Sequence, residues 1–171
     1  MRNKIFKKVF SLNAALTILW IALCAGAPFA FVKQSPASPF VDATTLINDR
    51  LLDAIIKVES SDNPCAFNRR TKARGLTQIR AIAWLDLKRH YGDKYGKLCY
   101  RKDIYNPAVA REAGKDYLRI LEKYLKTKGI PLTYHNLLTA YVWGPDNLIK
   151  YGFRGAPRSG KAYVAKVMNH L

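Results

Sequence analysis

General acid–base chemistry needs a carboxyl group whose pKa has been moved, and this sequence offers few candidates: Glu59, Glu112 and Glu122 are its only glutamates, beside nine aspartates. Glu112 follows Arg111 and has Lys115, Asp116 and Arg119 as helical neighbours; Glu122 has Arg119 at i−3 and Lys126 at i+4. Both read as solvated, ion-pairing positions. Glu59 differs. Ile56 and Ile55 lie three and four residues before it, which puts it on the apolar face of its helix. It also stands at the helix C-terminus, where the macrodipole disfavours a negative charge. Both effects raise a carboxyl pKa, and an acid that keeps its proton near neutral pH is what a general acid must be. The alternative is a helix that ends at 58 and leaves Glu59 in solvent; periodicity alone does not choose between the two. Asp62 is the only nearby second acid. No Cys-x-x-Cys, His-Glu-x-x-His, Gly-x-Gly-x-x-Gly or P-loop pattern occurs, so the sequence supports no metal or cofactor.

The elements that must position Glu59 read as helices. Residues 45–59 carry Ile47, Leu51, Leu52, Ile55 and Ile56 on one face, with Asp53 and Lys57 at i,i+4 on the other. Residues 60–75, with Asn63-Pro64, read as a loop, 76–90 as a helix, and 91–106 as a second loop. Asn106-Pro107 is a helix start, Asn as cap and Pro in the first turn. That helix runs to about Lys128 with a stripe of Ala110, Ala113, Gly114, Tyr117, Leu118, Leu121, Tyr124 and Leu125, and Gly129 and Pro131 stop it. Another helix spans 133–143, and one or two more lie between 145 and 170. No segment alternates with period two, so the expected fold class is all-α.

The 171 residues carry 29 Lys+Arg against 12 Asp+Glu, a net +17. Arg2, Lys4, Lys7 and Lys8 precede an uncharged run from Val9 to Val32, the pattern of a signal peptide or signal anchor over 1–32. Residues 33–43 read as a linker and 44–171 as the domain. With residues 1–36 set aside the net charge is still +12, which suggests an anionic partner. For an exported protein an acidic envelope polymer or membrane surface suits that charge better than nucleic acid. Export also places Cys65 and Cys99 in an oxidising compartment. A bridge between them is expected there, closing a loop of about 34 residues worth ~4 kcal/mol; the alternative is two separate buried thiols.

Three segments carry a resemblance. Glu59-Ser60, Gly75-Leu76-Thr77-Gln78 and Ala140-Tyr141-Val142-Trp143-Gly144-Pro145 resemble the ordered motifs of the SLT-type lytic transglycosylases, roughly Glu-Ser, Gly-Leu-Met-Gln and Ala-Tyr-Asn-Ala-Gly-Pro. Asn63-Pro64, Asn106-Pro107, Ala113-Gly114, Tyr117-Leu118 and Tyr163-Val164 through Val167 fit the family's intermediate and C-terminal markers. The likeness covers about residues 46–170. It implies a lysozyme-like helical domain whose groove binds peptidoglycan strands. It implies cleavage of the bond between N-acetylmuramic acid and N-acetylglucosamine, with a 1,6-anhydro product. One glutamate serves as acid and then base in that scheme, because the substrate's N-acetyl group can assist at the anomeric carbon. The two-carboxylate scheme of ordinary glycosidases differs.

Carried over by position, the resemblance makes Glu59 the acid/base. Ser60 would orient it by a hydrogen bond, Gln78 would contact substrate from the groove wall, and Tyr141 would hold Glu59 in place. Thr77 stands where the family has Met and would be a small polar groove contact. Val142-Trp143 replace Asn-Ala, and Trp143 could stack on a sugar. Ala110 stands where the family often has Asn. Arg69, Arg70, Lys72 and Arg74 in loop 61–74 would meet peptide-stem carboxylates or form a solvated basic loop. The implied setting is the periplasm or cell envelope, as a monomer without nucleic acid, touching the membrane through the N-terminal segment if that is uncleaved. The short chain resembles the small enzymes of secretion, conjugation or pilus systems. The other readings are a goose-type-lysozyme-like hydrolytic muramidase and a non-catalytic glycan-binding assembly protein.

Overall fold

The computed structural model describes residues 46–171; the expected export segment 1–32 and linker 33–43 lie outside the described residues. Among the described residues the structure is helix and turn, with two isolated bridges (Phe67 to Arg74, Arg74 to Ile79) and no strand. None of the described helices is long and apolar enough to cross a membrane.

Helix α1 (Asp49–Ser60) starts at Asn48, whose side chain accepts from the Leu51 N–H at 2.9 Å, and ends at Ser61, whose left-handed backbone returns its N–H to the Lys57 carbonyl. Its polar face is used differently from the i,i+4 expectation. Asp53 pairs with Arg111 at 2.7 Å and Asp49 with Lys115 at 2.6 Å, while Lys57 turns to Asp62 at 2.9 Å. The tertiary partner wins because Arg111 and Lys115 belong to α5 (Pro107–Thr127), the helix that packs beside α1.

Helix α2 (Ala81–His90) begins five residues later than its apolar pattern suggests. Gly75 (φ +72°) and Gln78 (φ +47°) are left-handed, and residues 75–80 form a tight turn in place of the first helical turn. Gly75 admits no side chain: a Cβ there would lie 2.3 Å from the Ile104 carbonyl oxygen. The second loop contains two short helices, α3 (Gly92–Tyr95) and α4 (Tyr100–Asp103). α5 is capped as the sequence indicates, the Asn106 side chain accepting from the Ala108 N–H at 3.0 Å. α6 (Tyr134–Trp143), α7 (Pro145–Tyr151), a short 3-10 turn and α8 (Arg158–Met168) complete the order.

The core forms two clusters. One gathers Leu51, Ile55, Leu118, Leu121, Leu137, Leu148 and Val164 from α1, α5, α6, α7 and α8. The other gathers Leu52, Ile56, Leu76, Trp84, Leu87, Tyr95 and Ile104 around α2 and the loops. α5, about 30 Å long at 1.5 Å per residue, runs through both. So does α1: Leu51 and Ile55 enter one cluster, Leu52 and Ile56 the other. The next turn of α1 carries Glu59.

The expected bridge is not formed. Cys65 and Cys99 are free and exposed, neither disulfide-bonded nor buried. The two loops are joined by tyrosines instead. The Tyr100 hydroxyl lies 3.0 Å from the Lys72 carbonyl and 2.8 Å from that of Ile79, and Arg74 donates to the Tyr105 hydroxyl. Of the four cations of loop 61–74, Arg69, Arg70 and Lys72 are exposed, but Arg74 is partly buried and stacks 4.3 Å from the Phe67 ring centroid.

Candidate active site

Glu59 is half-buried in the last turn of α1. Burial pushes its carboxyl up to about 7, against the opposing pull of the Tyr163 hydroxyl. That hydroxyl is buried, forms no bond of ordinary geometry with any group, and approaches the carboxyl closely enough to favour its charged form. No cation pairs with Glu59 among the described residues, so desolvation governs. The other two glutamates are ion-paired: Glu112 to Lys94 and Glu122 to Lys126, each at 2.7 Å. Asp62, more than half exposed, is held by Lys57.

Tyr141 stands beside Glu59. Burial, and then the Glu59 charge, raise its phenol well above the ordinary value, and its ring meets that of Tyr117 edge to face at 5.7 Å. Its hydroxyl donates to the Thr77 carbonyl at 2.6 Å, so Tyr141 is fixed by the backbone of the second motif and not by the carboxyl it was expected to hold.

Thr77 is a correction. Its side chain is wholly buried, and its hydroxyl donates to the Ala110 carbonyl at 3.2 Å. A Cβ on Gly114 would come within 2.6 Å of its methyl group, so α5 approaches this closely only because residue 114 is glycine. Thr77 is therefore a packing residue that aims its carbonyl at Tyr141, not a groove contact. Ser60 is tied to its own helix. Its hydroxyl donates to the Ile56 carbonyl at 3.2 Å, one turn back, because that acceptor is within reach in the final helical turn. Gln78 does line the groove, but its amide nitrogen is engaged by the carbonyls of Gly75 (2.9 Å) and Ala66 (3.2 Å). Its first task is to clamp the left-handed turn.

The groove encloses about 480 Å³. Its wall on one side is α2, its floor is α5 with Tyr117 and Tyr124, and its other wall is the α6–α7 corner with Tyr141, Val142 and Trp143. Trp143 leans on Tyr151 at 5.8 Å between centroids. Glu59 is not among the lining residues. It lies beyond Tyr141, whose ring lines the groove and whose hydroxyl feels the Glu59 charge. Among the described residues no three His, Cys, Asp or Glu side chains gather as a metal-binding set. Tyr163 and Tyr117 had carried no role in the sequence reading. Tyr163 stands in the sequence only within the C-terminal marker, and Tyr117 within the Tyr117-Leu118 marker and the apolar stripe of α5.

A half-buried acid of raised pKa, separated from an aromatic-lined groove by the Tyr141 ring, is suited to protonating a leaving group. A membrane-bound lytic murein transglycosylase E from Buchnera aphidicola subsp. Acyrthosiphon pisum (strain APS) is 30% identical over 106 residues, 61% of this chain and 47% of that protein. The match thus spans about half of that curated relative's length. No solved structure gives a significant match. The model of the transglycosylase SLT domain matches residues 42–163, more than half of the chain and nearly all of the helices just described, and on that ground the chain belongs to the transglycosylase SLT domain family.

Proposed function

We propose that this domain is a peptidoglycan lytic transglycosylase that cuts the β-1,4 bond between N-acetylmuramic acid and N-acetylglucosamine. The observation that carries the reading is Glu59, a lone carboxyl whose burial keeps it protonated up to about pH 7 behind Tyr141, which lines the groove. In the first step Glu59 gives its proton to the glycosidic oxygen as the bond to the muramic acid anomeric carbon breaks. The substrate's N-acetyl group supports the positive charge that develops there. In the second step the Glu59 carboxylate takes the proton of the C6 hydroxyl as that oxygen attacks the anomeric carbon. The 1,6-anhydro ring closes and the acid is restored. Both steps need one protein carboxyl, which fits an Asp62 held by Lys57 at the open surface. Tyr141, anchored on Thr77, keeps the wall next to the acid in register, and Trp143 offers a sugar-sized ring further along.

The same reading sets the domain in the cell envelope as a monomer, exported or anchored by residues 9–32, opening the wall locally for an envelope-spanning apparatus. Support for export is the basic start followed by the uncharged run. Digestion of purified sacculi by the wild type and by Glu59→Gln, with products identified by mass, tests the chemistry. Anhydro-muropeptides are expected from the wild type, with a loss of at least about 100-fold in the variant, the usual scale for removing a general acid. Hydrolysed reducing ends in place of anhydro ends would make it a muramidase. Equal products from both proteins would remove Glu59 from the mechanism.

A further inference from the structure

The groove is nearly empty of the positive charge that dominates the rest of the molecule. Arg80 is the single Lys or Arg among its lining residues. It is exposed, stands two residues after Gln78 as the residue preceding α2, and caps nothing with its side chain. Among the described residues it makes no ion pair. The two carboxylates that share the groove are already engaged: Asp86 accepts from Arg89 at 3.0 Å and Asp146 from the Tyr124 hydroxyl at 2.7 Å. Arg80 is close enough to Tyr117, on the groove floor, for its charge to act on that phenol. An unpaired guanidinium held over a binding groove is matched to a carboxylate, which it meets with two parallel N–H···O bonds.

N-acetylated sugar rings are neutral, so the glycan backbone offers Arg80 nothing of that kind. Carboxylates enter only through the lactyl arm of the muramic acid residue, either on the stem peptide amide-linked to it or on the lactyl group itself once the stem is removed. We infer that Arg80 is a specificity residue that binds a carboxylate borne by the lactyl arm of the muramic acid, so that the groove selects strands by their side chains as well as by their sugars. This rests on the transglycosylase reading and names the part of the substrate that the reading leaves open.

Three glycan preparations test it: uncross-linked strands that keep their stems, strands stripped of stems by an amidase, and strands whose carboxylates have been converted to amides. The readout is kcat/KM for anhydro-product formation by the wild type, Arg80→Gln and Arg80→Lys. The wild type is expected to prefer carboxylate-bearing over amidated strands by about tenfold, the scale of one partly exposed charge-assisted bond. Arg80→Gln erases that preference by raising KM on the carboxylate-bearing strands while its rate on amidated strands stays that of the wild type. Arg80→Lys keeps part of the preference, because it keeps the charge and loses the fork. A loss confined to stem-bearing strands assigns the carboxylate to the stem, a loss confined to stripped strands assigns it to the freed lactyl group, and a loss on both shows that Arg80 accepts either. Equal slowing on all three preparations, or no change on any, overturns the inference. If Arg80→Gln does not fold, the wild type decides, and indifference to amidation overturns the inference. Absence of anhydro products from the wild type on every strand sinks the transglycosylase reading itself, and the two failures are told apart on that basis.

Discussion

Glu59 carries a cost that the Tyr163 hydroxyl relieves only in part. Its carboxyl is raised from an ordinary 4.5 to about 7 because burial disfavours the anion. The unfolded chain therefore ionises this group first. Its contribution to folding is fully present below about pH 4.5 and is lost as pH rises through about 7. Glu59→Gln cannot ionise and escapes that loss. In denaturant titrations the variant is expected to be more stable than the wild type at pH 8 by on the order of 2 kcal/mol, and close to it at pH 4. Equal stability at both values would mean that the carboxyl is solvated after all. Ile55 and Ile56 set the face of Glu59, but that periodicity leaves an exposed alternative open, and the likeness of Glu59-Ser60 to the family motif is what singles it out. The contacts of Ser60 and Thr77 were not legible in the sequence: a hydroxyl at a helix end has a carbonyl one turn back as competitor, and the burial of Thr77 depends on a glycine 37 residues away.

The second motif is an element whose shape comes from elsewhere in the chain. α5 was readable from Asn106, Pro107 and Gly129, all local signals, and its ends fall within a residue or two of expectation. The start of α2 was not, because apolar residues at 76 and 79 continue a helical period while the backbone at Gln78 is left-handed. That turn is held by the Gln78 amide on two carbonyls and by the pressure of Gly114 against Thr77. Tyr141 is in turn anchored on the Thr77 carbonyl. Gly114→Ala suits a helix interior and would ordinarily stabilise one. Here its Cβ would meet the Thr77 methyl at 2.6 Å and the Leu52 side chain at 3.0 Å. Thermal unfolding is expected to show a net loss of about 1–3 kcal/mol, the usual scale of overpacking. Activity in the protein that remains folded should fall as well, since the displaced carbonyl is the one that holds Tyr141. A stabilised, fully active variant would mean that the second motif is not wedged by α5.

Across the whole molecule, charge and site are separated. The net +12 of the domain suggested a groove made for an acidic polymer, yet the groove wall holds one arginine and two aspartates. Net charge is a sum over the surface and carries no address; which cations face inward is decided by helix packing. Stability, by contrast, converges on the site. Glu59 rides on the helix whose leucines and isoleucines feed both core clusters, so α1 cannot leave one cluster without leaving the other. Native-state hydrogen exchange is expected to show the amides of Ile55 and Ile56 opening only with the whole domain, while those of the 61–74 loop open far more readily. Early exchange in α1 would mean that the clusters unfold separately. A domain arranged in this way has no hinge between its reactive group and its foundation. Its acid is lost in the same step as its fold, and in rising denaturant the fall of activity and the fall of helicity trace one curve.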